Sequence, residues 1–275
     1  MGRARKFFAS EQRGLEEIVA ALPLRRKWAE AVLSRLRRVA ALPQDARILD
    51  VGAASGGFVA VCNQFGYRCE GVEPWGEARE RAAVLSQRLG IPIPICAGTA
   101  EALPYDADTF DVVHASSVIE HVADVEKAFA EINRVLKPGG VFWFNSANAL
   151  CPVQNEIGGF PLFAWYPDWM KQRIIAWAKD ARPELIGYTK APAVNWFTPW
   201  KARALLRRHG FATVYDRWDL RCEDEGGRGY RVILRLVRST RLTKTLADVA
   251  VEGCSYAALK SPRPGLHAAD RTTGA

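Results

Sequence analysis

Residues 48–57 read Ile-Leu-Asp-Val-Gly-Ala-Ala-Ser-Gly-Gly, and no other stretch of the chain constrains the fold as tightly. Ile48, Leu49 and Val51 bracket a single acid, Asp50, before the chain runs into small residues and glycine. A parallel strand covered on both faces, ending in a tight turn that opens a helix, has this composition. Such a turn leaves no side chain between the backbone and whatever binds above it. About twenty residues on, Gly71-Val72-Glu73-Pro74 reads as a second strand ending in an acid, the spacing at which a carboxylate grips two ribose hydroxyls. A doubly wound α/β sheet with a nucleoside ligand over its strand ends is the expectation.

Two kinds of adenosine cofactor compete for that site. A dinucleotide site asks for G-x-G-x-x-G so that a helix N-terminus can approach a pyrophosphate. Here the three places hold Gly52, Ala54 and Gly57, without the middle glycine. Asp50 lies two residues before the first glycine, where its charge would repel a pyrophosphate. The same charge suits a ligand carrying an ammonium and a sulfonium, as S-adenosylmethionine does. The bland alternative is a plain strand–helix turn.

Further motifs follow in order: Ala100-Glu101-Ala102-Leu103-Pro104 with Phe110-Asp111-Val112-Val113, then Val118-Ile119-Glu120-His121-Val122, then Leu136-Lys137-Pro138-Gly139-Gly140. Over residues 45–145 the chain thereby resembles the class I S-adenosylmethionine-dependent methyltransferases of the small-molecule type. The resemblance implies a Rossmann-like, seven-stranded, mostly parallel sheet. It also implies a cofactor site at Asp50, Gly52, Ala53, Gly56, Glu73, Pro74, Ala100, Glu101 and Ser116. Asp50 and Gly52 would lie beside the methionine moiety, Glu73 on the ribose, Ala100 and Glu101 at the adenine, and Ser116 near the sulfur. Ala54 departs from the glycine many members carry. The glutamate–histidine motif and an insertion after strand five look most like the ubiquinone-biosynthesis O-methyltransferases. Their motif has a further acid three residues before the glutamate, able to help hold a divalent ion; this chain has Ser117 there, so no metal site is assigned.

The periodicity sets out the remaining organisation. Amphipathic helices are expected at residues 10–22 and 25–40, split by Leu22-Pro23-Leu24, as an N-terminal cap over residues 1–44. Strands are expected at Arg47–Val51, Cys69–Glu73, Ile93–Ala97, Asp111–Ala115 and Val141–Asn145, with helices to about Phe65, at Glu77–Leu89 and at Val125–Val135. Residues 45–147 then form the cofactor-binding core, 148–200 a substrate-capping insertion rich in aromatics, 201–260 the rest of the sheet and 261–275 a disordered tail. In the insertion, a helix over Pro167–Lys179 is expected to put Met170, Ile174 and Trp177 on one side and Lys171, Arg173 and Lys179 elsewhere. After it come a helix at Pro199–His209, a strand at Thr213–Trp218, a polar loop at Glu223–Gly229, helical structure within Arg231–Val249 and an antiparallel strand at Cys254–Leu259.

No apolar run approaches the ~20 residues that cross a bilayer, no secretory signal is evident, and six scattered cysteines form no C-x-x-C pair. A reducing cytoplasm is the expected compartment. The net charge of +8 is uneven: residues 1–40 hold 10 basic and 4 acidic groups, and residues 200–275 hold 15 and 8. Basic ends read either as solvated helix surface or as contact with an anionic membrane. Nucleic acid is disfavoured, because Ala115-Ser116-Ser117-Val118 stands where base-directed enzymes of this fold carry an Asn/Asp-Pro-Pro-aromatic tetrapeptide.

Methyl transfer to a hydroxyl needs a base. His121 is the candidate, placed on a helix after strand four with Glu120 about 100° away around it. His114, Asn155, Tyr166 and Trp196 are candidates for the acceptor pocket, and His209 for a helix-end cation. The leading expectation is a methyltransferase acting on a hydroxyl of a small or lipid-like, largely apolar acceptor. N- or C-methylation of a natural product, or a non-catalytic S-adenosylmethionine-binding module, are the alternatives. The sequence leaves the oligomeric state open.

Overall fold

In the computed structural model, residues 14–153, 157–186 and 193–262 are described. Seven strands form one sheet: β1 (Arg47–Val51), β2 (Arg68–Val72), β3 (Ile95–Cys96), β4 (Phe110–Ser116), β5 (Leu136–Ala147), β6 (Phe211–Asp216) and β7 (Gly253–Lys260). Their spatial order is β3-β2-β1-β4-β5-β7-β6, and only β7 runs antiparallel to its neighbours. This is the Rossmann-like, mostly parallel sheet expected from the alternation of strands and helices. Its reversal point lies between β1 and β4, where a doubly wound sheet opens a crevice at the carboxyl ends of its strands.

Alternate residues of the strands face two cores, as the period of two requires. Leu49, Val51, Val113, Ala115, Phe142 and Phe144 pack under α4 (Val125–Val135) and α6 (Pro199–Arg208). Ile48, Val112, Val141 and Trp143 pack under α1 (Leu15–Val39), α2 (Gly57–Gln64) and α3 (Gly76–Leu89). Asp124 caps α4 by accepting from Lys127 N at 3.0 Å, and Thr198 caps α6 by accepting from Lys201 N at 3.2 Å.

Several boundaries differ from the sequence reading. The N-terminal pair of helices is one helix, α1, with Pro23 inside it; residues 10–13 lie outside the described residues. The stripe Ile18, Ala29, Val32, Leu33, Leu36 is buried along its whole length, and that continuous packing outweighs one lost backbone hydrogen bond at the exposed Pro23. Strand β5 begins at Leu136, not Val141, because Leu136 already pairs with Phe110 before a register shift brings Val141 opposite Val112. The Arg231–Val249 segment is two helices, α8 (Arg228–Arg238) and α9 (Arg241–Val249), broken where Thr240 caps α9. A short helix, α7 (Arg217–Leu220), follows β6, and the expected polar loop at 223–229 is a helical turn at Glu223–Glu225 running into α8. The expected tail is described only to Pro262.

Residues 148–200 carry their own small core of Ile157, Phe163, Ile175, Ala178, Ile186, Ala193 and Trp196. Its helix, α5 (Asp168–Ala181), buries Lys171, Ile175 and Ala178 and leaves Trp177 exposed, so the buried stripe sits one residue on from the expected one. Lys171 belongs to it because its apolar stem packs inward while its ammonium lies 4.3 Å from the Trp196 ring and 3.2 Å from Asp168. Burial pushes that ammonium's pKa down, and Asp168 works against the shift.

On the opposite side, α4 holds the Ala100–Pro104 loop. Arg134 donates to Tyr105 O at 2.7 Å and Leu103 O at 3.1 Å, and Glu131 accepts from Leu103 N at 3.0 Å. The Arg134 guanidinium beside Glu131 holds its carboxyl below the ordinary 4.5. A depressed carboxyl stabilises the fold above its unfolded pKa and loses that stabilisation as pH falls through its folded value. Glu131→Gln is therefore expected to cost about 1 kcal/mol at pH 7, the group being partly solvated, with the difference shrinking as pH falls through the folded value. Urea unfolding of both proteins at pH 7 and pH 3.5 measures it.

Candidate active site

Strand β1 delivers Asp50 to the crevice, nearly buried, where His114 Nδ1 donates to Asp50 Oδ1 at 2.6 Å. His114 lies in β4 directly opposite Asp50. Its ring stacks on Phe58 at 3.9 Å and on Trp143 at 4.9 Å, with Trp28 of α1 edge-on at 5.3 Å. The sequence suggested an acceptor-pocket histidine at a strand tip. The structure puts it in the layer between the sheet and α1, at 2% exposure, bonded to Asp50 and with its Nε2 unpartnered among the described residues.

Past Asp50 the backbone turns back on β2. Gly52 N and Ala53 N both donate to Val72 O, at 2.8 and 3.1 Å. Gly52 has φ +68°, and a Cβ there would lie 2.4 Å from Val118 Cγ2, so only glycine fits beneath the loop after β4. Ala54 also has positive φ, at 48°. The Glu73 carboxylate braces that turn: its two oxygens accept from Ala54 N at 2.8 Å and Trp75 N at 3.1 Å. An ionised carboxylate can accept about four hydrogen bonds, a capacity that suits two vicinal hydroxyls in addition to these amides.

Other parts come from elements the sequence reading did not connect. Arg25 of α1 lies across the first turn of α2, its Nε 2.8 Å from where a Gly57 Cβ would stand. A helix N-terminus under a guanidinium is a site for a carboxylate. Ser55 Oγ in the turn and Ser116 Oγ at the end of β4 are buried and have no partner among the described residues. Trp75, 41% exposed directly after Glu73 and Pro74, offers an aromatic face. Around the crevice lie Arg25, two carboxylates, two buried hydroxyls without a partner among the described residues, and an aromatic surface. An amino-acid-bearing nucleoside with a positive centre and no phosphate fits that set.

The remaining expected residues divide. Ala53 and Ala100 are buried around the turn and the Ala100–Pro104 loop, Gly56 caps α2 with φ +75°, and Pro74 is exposed with its carbonyl accepting from Arg79 at 2.8 Å. The Glu101 carboxylate accepts from Ala123 N at 2.9 Å and Asp124 N at 3.4 Å, so it steadies the approach to α4. His121 sits in a turn before α4, not on a helix, its amide donating to Val118 O at 2.8 Å; the 100° separation from Glu120 does not apply. Glu120 is buried, accepting from Ser146 Oγ at 2.8 Å, while its carbonyl accepts from Val194 N and Asn195 N of the insertion. Asn195 Nδ2 adds bonds to Ile119 O and Val122 O, and Ser117 N donates to Asn145 Oδ1 at 2.6 Å. The loop bearing His121 is therefore clamped between the glycine turn and the insertion.

Tyr166 is half-buried beside Phe163, Trp196 is buried with its Nε1 unpartnered among the described residues, and Asn155 lies outside the described residues. His209, at the end of α6, pairs with Glu126 of α4. No group of three His, Cys, Asp or Glu among the described residues is placed to hold a metal ion.

A methyltransferase-domain family matches residues 49–144, the span of the crevice. A ubiquinone biosynthesis O-methyltransferase of Rhizobium rhizogenes is 31% identical over 182 residues, covering 63% of this chain and 67% of that protein. The chain belongs to the class I S-adenosylmethionine-dependent methyltransferases. An uncharacterised methyltransferase of Bacillus subtilis is 36% identical over 97 residues, 35% of this chain and 38% of that one. The solved structure of a sarcosine dimethylglycine methyltransferase homologue from Galdieria sulphuraria shares the fold, with a TM-score of 0.55 at 18% identity over 92% of this chain and 90% of that one. The chain spans 38 to 55% of the length of several other curated relatives it matches. S-adenosylmethionine is the cofactor of this methyltransferase, and the strand-end acids, the Arg25-covered helix start and the orphaned serine hydroxyls are residues that fit it.

Proposed function

We propose that the protein transfers a methyl group to a hydroxyl of a small or lipid-like, largely apolar acceptor held beneath residues 148–200. The observation that carries this reading is the clamp on the His121 loop. One side packs over Gly52 through Val118, and the other is bonded to the insertion through Asn195. Cofactor turn, candidate base and cap then form one continuous wall. Asp50 and Glu73 hold the ammonium and ribose ends, Arg25 the carboxylate, and α1 closes the crevice from above. When bound, S-adenosylmethionine supplies an electrophilic methyl carbon; the protein's part is to align the acceptor, exclude water and receive its proton. His121 receives that proton, and Glu120 is a positioning residue that joins the loop to Ser146 and the cap. Phe163, Tyr166 and Trp196 give the cap an apolar, aromatic lining. No helix among the described residues is long and apolar enough to cross a membrane.

His121→Ala tests it. Calorimetric affinity for S-adenosylmethionine should be unchanged, while single-turnover methylation of an alkyl-substituted phenol should fall about 10²- to 10⁴-fold. Full turnover in that variant would remove His121 from the mechanism. Methylation confined to an amine, and indifferent to the substitution, would give the site to N-methylation. Intact cofactor binding with no product from any acceptor class would leave a binding module.

A further inference from the structure

Between β6 and β7, where a short hairpin turn would suffice to join antiparallel neighbours, residues 217–252 build α7, α8 and α9. The pair is fixed firmly to the sheet edge. Arg238 donates to Trp218 O at 2.6 Å and Arg221 O at 2.5 Å, Lys244 to Asp216 at 3.2 Å, and Trp218 Nε1 to Asp248 at 2.7 Å. Leu234 and Val237 of α8 face inward. The outward face is apolar: Val232, Ile233, Leu236, Leu242 and Leu246 are each 61–68% exposed. Five large, exposed aliphatic side chains on two successive helices packed on each other mark a contact surface rather than scattered exposure.

The charges around the patch select the occupant. Residues 228–238 contain no acid. Arg235 is paired with Glu223, whose carboxylate also feels Arg231, while Arg228 and Arg241 are exposed and form no ion pair among the described residues. An isologous contact with a second copy would bring two arginine-rich faces together, with Glu223 already engaged by Arg235. The chain's own ends offer no complement either, since residues 1–13 hold four basic groups and one acid, and 263–275 two and one. A nucleic acid would meet exposed aliphatic side chains, which neither pair with phosphates nor stack on bases. An aliphatic centre with an arginine rim matches the interface of an anionic bilayer, where apolar side chains enter the acyl boundary and guanidinium groups meet lipid phosphates.

We propose that the α8–α9 pair is a membrane-docking face that seats Val232, Ile233, Leu236, Leu242 and Leu246 in an anionic bilayer surface, with Arg228, Arg231 and Arg241 on its phosphates. The proposal deepens the reading of a lipid-like acceptor, and its test uses no methyl transfer, so the two fail separately. The experiment is flotation of the full chain with phosphatidylcholine vesicles, with or without added phosphatidylglycerol. Binding is expected only with the anionic vesicles, weakening as salt rises. Each arginine near the surface contributes about 1 kcal/mol, so Arg228→Gln, Arg231→Gln and Arg241→Gln combined should weaken binding about a hundredfold. Val232→Ser, Ile233→Ser and Leu236→Ser combined should abolish flotation. S-adenosylmethionine affinity reports that each variant is folded. Hydrogen exchange on the wild-type chain, which needs no variant, should show vesicle-dependent protection within residues 228–249. No flotation at low salt, protection confined to other segments, binding that both triple variants retain, or a dimer that Ile233→Ser dissociates would each overturn the proposal.

Discussion

Glu73→Ala is expected to weaken S-adenosylmethionine binding by about two to three orders of magnitude. Two kinds of loss combine. On the proposed reading the variant lacks the acceptor for the ribose hydroxyls, and hydrogen bonds to a charged group contribute about 1.5–3 kcal/mol each. It also leaves the Ala54 and Trp75 amides without the carboxylate that now accepts from both, at 2.8 and 3.1 Å, so the glycine turn loses its brace. Glu73→Gln separates the two effects. The amide retains one oxygen to accept from the turn but carries no charge, so the variant should hold the turn better than alanine and still bind the ribose more weakly than glutamate. Calorimetric titration of the three proteins checks this order. Equal affinity in wild type and Glu73→Ala would take the acid out of the site.

Gly52→Ala is the second large effect, and here stability and binding fall together. The residue is held at φ +68°, and its new Cβ would stand 2.4 Å from Val118 Cγ2 and 3.3 Å from Cγ1. The backbone cost of the left-handed region is about 1–2 kcal/mol for a residue with a Cβ. Overpacking against Val118 adds roughly 1–3 kcal/mol. Relief can come only by lifting Val118, which carries the His121 loop away from the turn. We expect a loss of about 3 kcal/mol, a fall in Tm of roughly 5–12 °C, and weakened cofactor binding. Gly66→Ala is the control: its φ is +87° with nothing within 4 Å, so it should cost only the backbone term and leave binding untouched. Thermal unfolding with and without S-adenosylmethionine reads both, and equal effects in the two variants would show that the contact with Val118 is immaterial.

The parts of this fold legible in the sequence were those set by short-range rules. Alternating apolar runs and glycine stops located β1, α3 and α4 almost to the residue, since strand period and helix C-caps are local properties. Asp50, Gly52 and Glu73 were legible for the same reason: each stands at a fixed offset from a strand end. Tertiary choices were not legible. Pro23 reads as a helix break, yet the buried stripe of α1 runs through it. Arg25 stands in a run of basic residues with nothing to distinguish it from Arg26 or Lys27, and only the packing of α1 on α2 brings it over Gly57. Trp75 had a signal, a large aromatic directly after the strand-end acid Glu73 and its proline. Asn195 had none, because its bonds to Ile119 and Val122 cross more than seventy residues. A strand-end histidine and a core histidine look alike in sequence, and only Phe58, Trp143 and Asp50 around it show how His114 is packed.

Apolar patterning also misled where one residue has two characters. Lys171 reads as a surface charge, and its stem is part of the insertion's core. The basic ends of the chain read as one electrostatic feature, but they separate in the fold. Arg35 and Arg38 of α1 pair with Glu225, and Arg88 pairs with Glu16, whereas the rim of α8 and α9 keeps exposed arginines. Charge that is paired on a surface contributes little to recognition; charge held beside an apolar face can direct it.

The central claim is that Asp50, the Gly52 turn and Glu73 hold a cationic, phosphate-free nucleoside. Isothermal titration of the full chain with S-adenosylmethionine, with its demethylated product and with a nicotinamide dinucleotide tests it most directly. The account predicts saturable one-to-one binding of the first two, weakened in Asp50→Ala and Glu73→Ala, and no heat from the third. Tight binding of the dinucleotide with no response to either sulfur compound would contradict it.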